Sequence, residues 1–225
     1  MRSIALFPCS YTDEARIIGE LSNSLRLRVY TDEMLFSDIS EQFGIPVEKV
    51  KKILFGRTSI QNRSNLEKDK YIDLARCSLA ARKVLSQDGC IFYGLHTSLL
   101  DTKNDSVLKV LVFDKVEGRV RRAMQQEGFS ENAARDFIIQ HDKKVSGWTQ
   151  YLFHEEAYEP SLYDLVVTYN NKELLNIITQ IIQSVHEFDY SLGPVRQPYN
   201  HPASGPGYIN PRIGWKEIFQ PATRP

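Results

Sequence analysis

A chain of 225 residues, 42% hydrophobic and 25% charged, lies near the globular average and suits one domain of ~150 residues plus appendages, which excludes wholesale disorder. Twenty-eight Lys and Arg balance twenty-eight Asp and Glu, so no global basic field exists to recruit nucleic acid or an anionic membrane. The three cysteines (Cys9, Cys77, Cys90) lie far apart without a CxxC pair, which argues against a disulfide framework or zinc site and for a reducing compartment.

Residues 4–7 read as a strand, and Thr12 as the N-cap of a helix in which Ala15, Ile18, Leu21 and Leu25 recur at helical spacing. Residues 29–30 form a brief extended piece before a helix over 33–43. Gly44 and Ile45 end that helix, and Pro46 can open the next in its first turn. A long helix over 66–87 turns Ile72, Ala75, Leu79 and Val84 inward; Gly89 stops it, and residues 90–93 form a second core strand. Residues 108–113 are a third, continuous and β-branched, as a strand buried on both faces should be. Val116, Val120 and Met124 mark a helix closed by Gly128, and Ser130 caps another running past Phe137 and Ile138. Residues 162–168 are a fourth core strand and 173–188 a final amphipathic helix. This alternation predicts an α/β fold, a parallel sheet covered by helices with right-handed crossovers. Ligands on such sheets sit at the carboxyl ends of strands, which points to the loops after Phe7, Tyr93, Phe113 and Thr168.

No apolar run approaches the ~18 residues of a membrane helix. Pro8, Asp13 and Glu14 interrupt the N-terminal apolar stretch too early for a signal peptide, so the expected location is cytoplasmic. Seven of the ten prolines fall after residue 193, which divides the chain into a body over 1–190 and a Pro/Gly-rich tail over 191–225. Within the tail, Trp215, Ile218 and Phe219 stand at i, i+3, i+4, the pattern of a groove-docking turn. Such a segment could contact this body, a second copy or another protein, or lead to a further domain.

Several blocks, in order, resemble the cytidylate kinase-like family of nucleoside monophosphate kinases. They are Val110-Leu111-Val112-Phe113, Glu117-Gly118-Arg119-Val120-Arg121-Arg122-Ala123-Met124, Glu127-Gly128-Phe129-Ser130, His141-Asp142-Lys143-Lys144 and Tyr163-Asp164-Leu165. Upstream, Tyr30-Thr31-Asp32-Glu33, Phe43-Gly44-Ile45-Pro46 and Asp88-Gly89-Cys90-Ile91-Phe92-Tyr93-Gly94 continue it, so that the likeness spans about residues 3–188. The resemblance implies a P-loop fold, a three-layer parallel sheet flanked by helices with a small helical lid. It implies nucleotide or phosphate contacts from Arg119, Arg122, Lys143, Lys144, Ser10 and Thr12, and an acceptor-side role for Asp32. The residues themselves leave alternatives open: solvated helix cations for the first four, and a helix N-cap for Asp32.

The first loop departs from the family pattern. A phosphate loop needs glycines so that backbone N–H groups can approach, and a lysine to offset charge. Here it reads Pro8-Cys9-Ser10-Tyr11-Thr12-Asp13-Glu14; the first glycine is Gly19 and the first lysine Lys49. A carboxylate ~5 Å from a phosphate charge repels it by about 3 kcal/mol at an effective dielectric of ~20, two decades of affinity. Two arginines expected from the family are also replaced, by Leu95 after Gly94 and by Val145 in the lid. Phosphoryl transfer is mostly positioning and charge neutralisation, so the expectation is a degenerate kinase-like protein serving as a nucleotide-related binding or regulatory module. The alternatives are an active ATP- and Mg2+-dependent nucleoside monophosphate kinase, and a scaffold subunit contacting partners through its tail. The histidines show no metal spacing, so no metal site is expected beyond that Mg2+.

Overall fold

A computed structural model of the protein describes residues 3–56, 62–85, 89–100, 107–169 and 173–191. Five strands form one all-parallel sheet: β1 (Ser3–Pro8), β2 (Arg28–Thr31), β3 (Cys90–Tyr93), β4 (Val107–Phe113) and β5 (Leu165–Thr168), in the order β2-β3-β1-β4-β5. Among the described residues seven α-helices join or follow them: α1 (Glu14–Leu25), α2 (Asp32–Phe43), α3 (Val47–Phe55), α4 (Asn62–Leu85), α5 (Val116–Glu127), α6 (Glu131–Phe153) and α7 (Leu174–Ser191).

Side chains on a strand alternate between faces, so the central strands of a sheet covered on both sides are apolar at most successive positions. In β1, Ile4 and Leu6 enter the core beneath α1 and α7, while Ala5 and Phe7 enter the core beneath α2, α3, α4 and α6. Helical spacing completes each core, with Ile17, Ile18 and Leu21 of α1 on one side and Leu35, Phe36 and Ile39 of α2 on the other. A third, smaller cluster joins Val120 and Ala123 of α5 to Ala134 and Ile138 of α6, with Tyr11 from the loop after β1. The α5–α6 hairpin is thereby fastened over the carboxyl end of β1.

The chain leaves β1 toward β3 and β2, and reaches β4 and β5 on its other side. The carboxyl end of β1 is therefore the topological switch point, where open α/β sheets bind ligands. Several elements differ in extent from the sequence reading, the long helix α4 starting at Asn62 rather than 66, and two differences have a visible cause. Strand β5 begins at Leu165 because Pro160–Leu162 forms a 3-10 turn, and Asp164 then exchanges backbone and side-chain hydrogen bonds with the Lys109 main chain. A second 3-10 helix, Leu95–Leu99, follows β3 where the sequence shows no helical period.

Candidate functional site

The loop after β1 is held by its own chain. Cys9 N–H donates to the Val112 carbonyl at 2.9 Å, continuing the β1–β4 ladder past the strand end. Thr12 is not the N-cap expected from the sequence: Asp13 occupies that position in the left-handed region, and the buried Thr12 hydroxyl donates to the Cys9 carbonyl at 2.8 Å. The Thr12 backbone N–H donates to Glu14 Oε2 at 3.1 Å. Burial raises the Glu14 carboxyl above its ordinary range, and Asp13 beside it adds to the effect.

Both family arginines converge here, and neither is a solvated surface group. Arg119 is 1% exposed. Its guanidinium donates to the Ser10 carbonyl at 2.9 Å and the Ser10 hydroxyl at 2.6 Å, and grips both carboxylate oxygens of Asp142 at 2.8 Å. Tyr158 donates to the same carboxylate at 2.8 Å. Burial alone would raise the Asp142 carboxyl, but hydrogen bonds from His141, Arg119 and Tyr158 outweigh it and hold it well below the ordinary range. Arg122 donates to the Tyr11 carbonyl and to Asp114, and stacks over the Tyr169 ring at 4.2 Å. Gly118 leaves room for that pairing, since a Cβ there would meet Asp114 Oδ2 at 2.3 Å. Asp13 completes the ring of contacts, accepting from Gln126 at 2.9 Å and from the Tyr169 hydroxyl.

Asp142 and Asp114 thus pair with the two guanidiniums at the switch point, while Glu14 and Asp13 accept from Thr12 N–H, Gln126 and Tyr169 around the same loop. Cys9 adds no nucleophile: burial pushes its thiol up to about 12. Of the other two cations expected at the nucleotide, Lys143 is exposed on α6 and Lys144 is half-buried beside His141.

Asp32, for which the resemblance implies an acceptor-side role, lies at the start of α2. It is not the helix N-cap, a position taken by Thr31, whose hydroxyl accepts the Met34 N–H. The buried Asp32 carboxylate instead accepts the backbone N–H groups of Leu95 and His96, both at 2.9 Å, and pairs with His96 Nδ1 at 2.6 Å. This long-range clamp explains the unexpected 3-10 helix, whose first N–H groups it satisfies. It also explains Gly94, whose φ of +134° and missing Cβ let the carboxylate approach; a Cβ would stand 2.4 Å from Asp32 Oδ2.

The sequence profile of the cytidylate kinase-like family matches residues 11–171. The chain belongs to the cytidylate kinase-like family. Among solved structures, it is similar to an uncharacterized protein from Eubacterium ventriosum, at 13% identity and a TM-score of 0.64, covering 83% of this chain and 98% of that one. It also matches a gluconokinase from Sinorhizobium meliloti at 10% identity and a TM-score of 0.48, covering 85% of this chain and 95% of that chain. A dephospho-CoA kinase from Campylobacter jejuni matches at 11% identity and a TM-score of 0.45, covering 86% and 100%. No curated protein matches the sequence. The family match confirms the resemblance read from the sequence, and the sheet order agrees with the expected kinase-type α/β fold. Sequence reasoning singled out Arg119, Arg122 and Asp32 but not the pairing of these residues with Asp114, Asp142, His96 and Tyr158. Asp114 was nonetheless readable as a carboxylate directly after a core strand.

Proposed function

We propose that this cytidylate kinase-like protein is a non-catalytic, regulatory relative, its phosphate loop closed by its own side chains. The observation that carries this reading is the Glu14 carboxylate on the Thr12 N–H, the group a phosphate would otherwise engage. The rest of the network supports it. Arg119 and Arg122 already hold Asp142, Asp114 and two loop carbonyls, and the loop offers no lysine. Asp32, the acceptor-side candidate, is committed to Leu95 and His96. A triphosphate with its Mg2+ does not fit these donors: its oxygens would have to displace carboxylates that are bidentate or buried, at a site already rich in negative charge. Any residual nucleotide contact falls to Lys143 and Lys144 on the lid helix, with Ser10 and Thr12 serving the loop itself.

Calorimetric titration with Mg-ATP tests this. The expected dissociation constant lies above about 1 mM, a binding free energy weaker than ~4 kcal/mol. Phosphoryl transfer from ATP to cytidine monophosphate should be absent by coupled assay. Micromolar ATP binding, or turnover, overturns the reading and restores the active-kinase alternative.

A further inference from the structure

Helix α6 is held differently along its length. Its C-terminal half is built into the main core: Trp148 is buried, its Nε1–H donates to the Leu95 carbonyl at 3.1 Å, and its ring meets Phe55 edge-on at 4.9 Å. Tyr151 donates its hydroxyl to Asp69 of α4 at 2.6 Å. The N-terminal half rests on less. Its buried residues before Val145 are Ala134, Ile138 and His141, the first two belonging to the small third cluster. Asp142 adds a polar hold through Arg119 and Tyr158. A segment with so few buried apolar contacts stands at the low end of local stability.

A weak point in the helix separates the two halves. Ser146 and Gly147 are neighbours there, glycine weakens a helix relative to alanine, and Gly/Ser pairs are recurrent sites of helix kinks. No neighbour demands the missing side chain: Gly147 is exposed, and a Cβ on it would meet nothing within 4 Å. Thr149 adds to the weakness. Its hydroxyl donates back to the Val145 and Ser146 carbonyls at 3.3 and 3.2 Å, a contact that competes with the helical ladder and favours bending. At its other end the segment follows the turn at Gly128 that closes α5.

We propose that residues 131–145 are a flap that lifts from the loop after β1 by bending at Ser146–Gly147, while Trp148 and the residues after it stay in place. Val145 reaches the main core, but it lies only about 3 Å along the axis from the pivot, at ~1.5 Å per residue, and moves little. Ala134, about 20 Å from the pivot, moves most. Lifting parts Asp142 from Arg119, whose guanidinium keeps Ser10 and is left with free donors beside the loop. The flap thus governs access to a charge that the closed state keeps paired, a regulatory role that rests on the closed-loop reading.

Amide relaxation dispersion by NMR on the full chain tests it. Residues 131–145 should share one exchange process that residues 149–153 lack. Gly147→Ala, which places a strong helix former in open space, should lower the lifted population about fivefold. Gly19→Ala makes the same change inside α1, where a Cβ also meets nothing within 4 Å, and should leave that population unchanged. Asp142→Asn, which removes the polar hold, should raise it at least tenfold. No exchange confined to 131–145 in either the wild type or Asp142→Asn overturns the flap. An equal response to the two glycine variants overturns it too, since the effect would then be one of general stability. Micromolar Mg-ATP binding with the exchange process intact overturns the closed-loop reading alone.

Discussion

Glu14 supplies an oxygen to the Thr12 N–H, the contact on which the proposed closure of the loop rests. Glu14→Ala should therefore open the seat and remove a repulsion of about 3 kcal/mol, raising phosphate affinity at the loop by up to two decades. The check is the Thr12 amide shift in a phosphate titration; an amide that stays unresponsive in the variant would mean the arginine–carboxylate ring closes the loop without Glu14. Gly94 is the second decisive position. Gly94→Ala forces a left-handed φ on an L-residue and drives a methyl into a buried carboxylate, so a loss on the order of 3 kcal/mol is expected by urea denaturation. His141 sets a pH dependence. Burial lowers its pKa from the ordinary 6.5, so the unfolded chain takes up this proton first and stability falls as pH drops below that value. The melting temperature of the wild type should fall between pH 7 and 5, and His141→Gln should flatten that slope.

At the scale of elements, the Arg119–Asp142 pair ties α5 to α6 and both to the loop after β1. Asp142→Asn would leave a nearly inaccessible guanidinium short of its counter-charge, a loss of about 3–5 kcal/mol. Arg135 and Glu131 pair on the same helix α6 but are 41% and 64% exposed, so Arg135→Ala should cost under ~1 kcal/mol. Equal losses for the two variants by chemical denaturation would mean that burial does not decide the strength of these pairs. The same contrast marks what the sequence made legible. The strands were readable because residues 4–7, 90–93 and 110–113 are continuous apolar runs, and α7 because Ile177, Ile181 and Val185 repeat at helical spacing. The Leu95–Leu99 helix was not, since its start depends on Asp32, which lies more than sixty positions earlier. Nor was the use of Arg119: helix spacing shows that it shares a face with Arg122, but its partners Ser10 and Asp142 are 109 and 23 positions away.

For the whole molecule, the question is whether the body needs the tail. The described core clusters draw their members from Ile4 to Phe188, and the sheet has a helical layer on each face without residues 192–225. The docking pattern of Trp215, Ile218 and Phe219 lies outside the described residues, so its role is decided by deletion. A chain ending at Ser191 keeps every element that builds the two cores. If two tail anchors packed on the body, each would contribute ~1.5–3 kcal/mol before the cost of ordering the segment. For a domain of this size each kcal/mol moves the melting temperature by ~2–4 °C. Packing of that kind would therefore show as a fall of several degrees in the truncated chain, whereas a tail that serves an external contact leaves the melting temperature within about 2 °C. The expected result by scanning calorimetry is the small change, accompanied by altered association in sedimentation or light scattering. A fall of several degrees would make the tail a third layer of packing on this body, and no change in either measurement would remove the docking role from these residues.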